Sequence, residues 1–345
     1  MPPLRILALP SSLYRIALLV IFALLALACW AWYEIARPLP VPGEAVEVRV
    51  ASGAGARSIA RQLREAGVTI SSWEFVLVAT VTRSTHSLRA GRYRIAAGTN
   101  MADLLEMFRR GDVQREQLTV VEGISFEDLR RLVAQCQDLR HDTVQWSEEQ
   151  ILHSVGAVEA HAEGLFAPDT YLFDPGSSDV ELYRRAYESQ KDRLERAWQT
   201  RADDLPYHDR YQALIMASII EKETGRPEER GRVAAVFVNR QRRGMPLQTD
   251  PAVIYGLGSR FDGRLHKRDL QSDTAYNTYT RAGLPPTPIS LPGRAAIEAA
   301  LNPDPSKALY FVARGDGSSE FSSTLAEHNQ AVERFQRAAV HGQTH

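Results

Sequence analysis

The chain has 345 residues, with 41 Lys and Arg against 42 Asp and Glu, so its formal net charge is −1. That balance gives no electrostatic reason to bind nucleic acid. Its 44% apolar and 24% charged residues are those of a globular protein, and the length suffices for two domains beyond any targeting segment. The two cysteines, Cys29 and Cys136, exclude a disulfide framework and a paired-cysteine metal site.

Ile16 to Tyr33 is an uncharged, almost wholly apolar run that ends in Trp30, Trp32 and Tyr33. Arg5 and Arg15 precede it, and Glu34, Glu44 and Glu47 follow. The run is long enough to cross a bilayer, and the aromatic cluster suits the outer interface. Residues 1–15 are therefore expected as a cytoplasmic tail and 16–36 as a single transmembrane anchor in the cell inner (cytoplasmic) membrane. Everything beyond lies on the extracytoplasmic side. A cleaved signal peptide fits Trp30–Tyr33 poorly, and a lipoprotein signal at Cys29 lacks the usual larger aliphatic residue at Ala26.

A proline-rich spacer, Arg37 to Gly43, leads to a repeating pattern. Val48–Gly53, Tyr93–Gly98 and Leu118–Gly123 each read as a short strand ending in Gly. Each is followed by a helix with matching apolar positions: Ala56, Ile59 and Leu63; Met101, Leu104 and Phe108; Phe126, Leu129 and Val133. Ser71 and Glu74 have capping-box spacing ahead of an extra helix. Residues 44–134 are expected as a small α+β module. The polar stretch from Gln135 to about Ala160 marks the boundary, and 160–342 form a second, mixed α+β domain.

In that second domain, Glu163 to Tyr171 opens as a Gly- and Pro-containing loop with two carboxylates and two aromatics. The stretch from Ala213 to Ile220 is apolar nearly all round, as in a buried helix, and ends in the acidic pair Glu221 and Glu223. Leu214, Ala217 and Ser218 share the helix face of Glu221. A carboxyl buried there is disfavoured as an anion, which suits a general acid. The plainer reading is a carboxylate solvated at the helix end or paired with Lys222 or Arg226. Glu223 points to a different side. Gln248, Thr249 and Asp250, with Tyr276, Asn277 and Tyr279, offer amides, carboxylates and aromatic faces for a polyhydroxylated ligand. Taken singly, each is equally an ordinary core or surface residue.

Metal, nucleotide and serine-nucleophile motifs are missing: there is no HExxH, no Gly-Lys-Ser/Thr loop and no GxSxG elbow. No cofactor or metal is expected.

The runs ASIIEKETGRPEERGRVAAVFVNRQRRGMPLQTDPAVIYGLG, SDTAYNTYTRAGLPPTPISLPG, EFSSTLAEHN and EGLFAPDTY closely resemble the YceG-like family of endolytic murein transglycosylases. The strand–Gly–helix segment resembles the family's LysM-like subdomain. The resemblance covers essentially everything after the anchor. It implies a lytic transglycosylase that cleaves the bond between MurNAc and GlcNAc in nascent peptidoglycan strands. The products carry 1,6-anhydro-MurNAc ends, and the cut terminates elongation. The first acid of the family's EKET motif falls on Glu221, implying one catalytic Glu. Glu163, Asp169, Tyr171, Gln248, Thr249, Asp250, Tyr276, Asn277 and Tyr279 are candidates for holding the sugars. Peptidoglycan strands, the membrane and peptidoglycan synthases are the partners implied. A hydrolase pairing Glu221 with Asp250 or Glu163, and a non-catalytic wall-binding scaffold, are the alternatives.

Overall fold

The computed structural model describes residues 11–337 apart from 52 and 86. It is mixed α+β and divides into two compact units: residues up to Glu116 with Asp174–Gly176, and Gln117–Phe173 with the chain from Ser177 onward.

The first unit begins with α1, Ser11–Ala36. Among the described residues no helix is long and apolar enough to cross a membrane. Residues 1–10 of the expected tail, and several side chains of the expected anchor including Ile16 and Ala17, lie outside the described residues. Beyond α1 come β1 (Ala45–Val50), α2 (Ala56–Glu65), α3 (Ser72–Val81), β2 (Gly91–Ala96) and α4 (Met101–Arg110). β1 and β2 pair antiparallel, Val48 opposite Tyr93, so alternate residues face one side. The helical stripes expected from the sequence are the ones buried: Ile59 and Leu63 on α2, and Met101, Leu104 and Phe108 on α4. Phe108 meets Tyr93 edge-on at 4.6 Å. Phe108→Ala would cost about 3–5 kcal/mol, because nothing else can fill that space. α4 starts at Asn100, whose side chain accepts the Asp103 N–H, and stops at Gly111 in the left-handed region. The capping box expected at Ser71 does not form; Glu74 instead lies 4.0 Å from Arg37.

The second unit contains β3 (Glu116–Thr119, its first residue at the boundary), α5 (Phe126–Gln135), α6 (Glu148–Val155), β4 (Thr170–Phe173), α7 (Asp179–Gln199) and α8 (Arg210–Glu223). It continues through α9 (Arg230–Arg242), α10 (Asp250–Leu257), α11 (Lys267–Gln271), α12 (Arg294–Leu301), β5 (Tyr310–Ala313), β6 (Ser319–Ser322) and α13 (Leu325–Val332). The division at Glu116 differs from the boundary expected between 134 and 160. The third strand–Gly–helix element belongs to the second unit because β3 pairs with β4, and Phe126 of α5 stacks on Phe166 at 5.2 Å. The stretch read as polar and unpatterned holds α6, whose Ile151, Leu152 and Val155 are buried.

α8 is the centre of this unit. Asp209 caps it by accepting the Gln212 N–H, and every residue from Ala213 to Ile220 is buried. A helix apolar on all sides needs neighbours on all sides, and α7, α9, α10 and α12 supply them. Burying each large aliphatic side chain there contributes about 1.5–3 kcal/mol. The helix is thereby a rigid mount that presents Glu221 and Glu223 at its far end.

Candidate active site

The two acids of α8 have different surroundings. Ser218 and Glu221, one turn apart, hold the segment Ile289–Gly293. The Ile289 N–H donates to Ser218 Oγ at 3.0 Å, the Ser290 hydroxyl to the Ser218 carbonyl at 3.1 Å, and the Gly293 N–H to Glu221 Oε2 at 2.8 Å. Arg230 stands 3.8 Å from the other oxygen, and the Glu221 side chain is only 7% exposed. Burial raises the Glu221 pKa, with Glu122 adding to the rise; the Gly293 N–H, Arg230 and Lys222 oppose it. The Glu122 side chain lies over Gly293, so a β-carbon there would force it to move.

Glu223 faces the other way. It lines an open cleft of about 410 Å³ with Gln248, Asp250, Tyr279, Arg240 and Phe311. Burial raises its pKa; the Thr249 hydroxyl opposes this and the Asp250 charge reinforces it. Glu223 is thus held toward its protonated form beside groups that can grip a sugar.

Gln248 and Asp250 of one polar segment and Tyr279 of the other line this cleft, whereas Thr249, Tyr276 and Asn277 stand outside its lining. Gln248 donates its N–H to the Thr278 carbonyl at 3.0 Å, and Thr249 donates its N–H to Thr278 Oγ1 at 3.0 Å. Tyr279 donates its hydroxyl to Asp250 Oδ1 at 2.6 Å. Gln248 sits at φ 53°, a left-handed conformation unusual for a side-chain-bearing residue. Arg240 secures it by donating to Gln248 Oε1 at 3.0 Å and to the Leu247 carbonyl at 3.1 Å. Such strain is kept where surrounding bonds over-determine the backbone. Gln248 and Asp250 are exposed, whereas Thr249 is buried and serves the backbone.

Asn277 is a brace rather than a ligand group. Its Nδ2 donates to the carbonyls of Asp269, Leu270 and Ser272, and its Oδ1 accepts the Tyr279 N–H at 2.9 Å. This fixes the turn that aims Tyr279. Tyr276 packs edge-on against Tyr255 at 5.1 Å and shares a 2.8 Å hydrogen bond with Thr287.

The loop expected to add sugar contacts does not reach this cleft's lining. Glu163 is 5% exposed and accepts the Phe126 N–H at 3.0 Å and the Tyr255 hydroxyl at 3.0 Å. It ties the start of α5 to α10, and burial pushes its pKa up to about 7. Tyr171 is buried and donates to the Ala167 carbonyl at 2.6 Å. Asp169 forms a surface ion pair with Arg193. Glu163 and Tyr171 are buried framework contacts, whereas Asp169 is exposed and is held by Arg193 away from the cleft lining. Arg240, Phe311 and the Glu122–Gly293 approach were not singled out from the sequence. α9 carries Arg240 and Arg242 in its last turn, and the fold turns Arg240 inward to the cleft.

The sequence pattern of the YceG-like family matches residues 48–334. The chain is similar to the endolytic murein transglycosylase of Bacillus subtilis, with 29% identity over 84% of each protein. It is also similar to that of Streptococcus pneumoniae, with 26% identity over 92% of this chain and 64% of the relative. The crystal structure of a yceG-like protein from Listeria monocytogenes matches with a TM-score of 0.50 and 28% identity, covering 83% of this chain and 98% of that one. The chain belongs to the YceG-like family.

Proposed function

We propose that the protein is an endolytic murein transglycosylase whose proton donor is Glu223. The observation that carries the assignment is an acid raised by burial in an open cleft beside Asp250 and Tyr279. Protonated Glu223 gives its proton to the glycosidic oxygen between MurNAc and GlcNAc, and that bond breaks. Positive charge develops at the anomeric carbon, where the Asp250 carboxylate, hydrogen-bonded to Tyr279, offers compensating charge. The MurNAc C6 hydroxyl then attacks the same carbon, and the Glu223 carboxylate takes its proton. The product is a 1,6-anhydro end, and Glu223 is again protonated. Holding the nucleophile within the substrate exploits proximity and needs no bound water.

Glu221 is the acid expected from the family motif, and its raised pKa keeps it as the second reading. Against it stands its coverage by Ile289–Gly293. A hydrolase using Asp250 as a second carboxylate is a further reading, favoured by Asp250 lining the same cleft as Glu223. Mass analysis of glycans released from purified peptidoglycan separates the last reading from the first. Anhydro ends lack one water relative to hydrolysed ends, and products carrying that water overturn the transglycosylase reading.

In this reading the apolar N-terminal run anchors the enzyme in the inner membrane with the catalytic unit outside the cytoplasm. Nascent peptidoglycan strands are then its substrate and peptidoglycan synthases its expected partners. Protease added to the outer side of the inner membrane should then degrade the chain beyond Arg37; protection contradicts this topology.

A further inference from the structure

The first unit carries a groove of about 830 Å³ between α2 and α3 that the glycan chemistry does not use. Arg57, Arg61 and Arg64 line one wall, spaced so that all three lie on one face of α2. All three are exposed, and the ion pairs among the described residues include none of them. The other wall is α3, which buries only Phe75 and Ala79. Trp73 is 59% exposed and Leu77 52% exposed, with Val81 one further turn along. Large apolar side chains left in water beside unpaired guanidinium groups mark an interaction surface.

We propose that this groove docks the first unit onto an anionic phospholipid surface. Charge selects lipid phosphates for the arginines, and the apolar wall suits the boundary between headgroups and acyl chains. The position of the groove supports the same occupant. Arg37 directly follows α1 and lies 4.0 Å from Glu74, the neighbour of Trp73. Trp30, Trp32 and Tyr33, all exposed, occupy the last turns of α1. Aromatics of this kind concentrate at membrane interfaces. On the proposed reading of the N-terminal run as a membrane anchor, Trp73 enters the bilayer margin close to where that run leaves it. The first unit is thereby held flat on the lipid, with the groove occupied by headgroups rather than by glycan.

The test uses the full chain with Cys29 and Cys136 replaced by Ala and an environment-sensitive fluorophore at Leu77→Cys. The protein is reconstituted in phosphatidylcholine vesicles and in vesicles with about 30% phosphatidylglycerol. The expected result is a blue shift with at least a two-fold rise in emission in the anionic vesicles. The rise is lost in the Arg57→Glu/Arg61→Glu/Arg64→Glu variant, and it weakens in about 0.5 M salt. These positions are exposed, so circular dichroism of the variant should match the parent. Equal emission in both vesicle types overturns the proposal, as does a shift that survives the triple variant. A shift produced in neutral vesicles only by adding purified peptidoglycan also overturns it, since the groove would then belong to the wall.

Discussion

The Tyr279 hydroxyl donates to Asp250 Oδ1 at 2.6 Å, joining the turn after α11 to the first residue of α10. This bond orients the carboxylate on the rim of the cleft that Glu223 lines. Tyr279→Phe removes it without changing the ring. Turnover should fall by about ten-fold, in line with the loss of one charge-assisted hydrogen bond. Asp250→Asn should cost more, and the double variant should cost less than the product of the two single losses. Steady-state rates for the four proteins check this, and strictly multiplicative losses would show that the pair does not act together.

The buried Asn277 side chain shares its two Nδ2 hydrogens among three carbonyls of a partly buried turn and accepts one N–H. Asn277→Ala leaves these groups unpaired at a cost of about 2–4 kcal/mol. Urea denaturation should show that loss, and activity should fall through misplacement of Tyr279. A change under about 0.5 kcal/mol would show that water replaces the brace.

Glu163 gives the protein a pH signature that is separate from catalysis. Burial raises its pKa from 4.5 to about 7. Between those values the folded state binds more protons than the unfolded state. Stability is therefore greatest below about pH 4.5 as far as this group is concerned, and declines as pH rises toward 7. The decline amounts to about 3 kcal/mol, an upper figure for one group. Glu163→Gln should flatten this part of the stability profile while keeping the bonds from Phe126 and Tyr255. An unchanged slope in the variant would contradict the assignment.

The catalytic pH dependence runs in the same direction for a different reason. Burial and the neighbouring Asp250 charge raise the pKa of Glu223, and its proton is the one delivered to the leaving oxygen. The rate should fall on the alkaline side, with a midpoint above the ordinary Glu value of about 4.3. Asp250→Asn removes a like charge and should move that midpoint down. An alkaline limb unmoved by the substitution would place the titrating group elsewhere.

The stripes Ile59–Leu63 and Leu104–Phe108 were legible because helical periodicity reports burial directly. Gln248–Asp250 and Tyr276–Tyr279 were legible as segments rich in amides, carboxylates and aromatics; that Tyr279 meets Asp250 while Tyr276 and Asn277 brace the framework is set by the fold. Glu163 and Tyr171 carry the same types, and sequence cannot show that they are buried. Helix spacing separated the faces of Glu221 and Glu223. Which face lies open depends on Ile289–Gly293, far along the chain, so local pattern could not decide it. The boundary at Glu116 escaped for a similar reason. The third strand resembles the first two, yet it pairs with β4.

The central claim is tested most directly by mass analysis of products from intact peptidoglycan, comparing the parent with Glu223→Gln and Glu221→Gln. Glu223→Gln should lower the yield of anhydro-ended glycans by about 10²–10⁴-fold with no loss of fold, the usual range for a general acid. Glu221→Gln can still accept the Gly293 N–H and should retain a measurable rate. Anhydro products at the parental rate from Glu223→Gln, with their loss in a folded Glu221→Gln, would contradict the account and return the acid to Glu221.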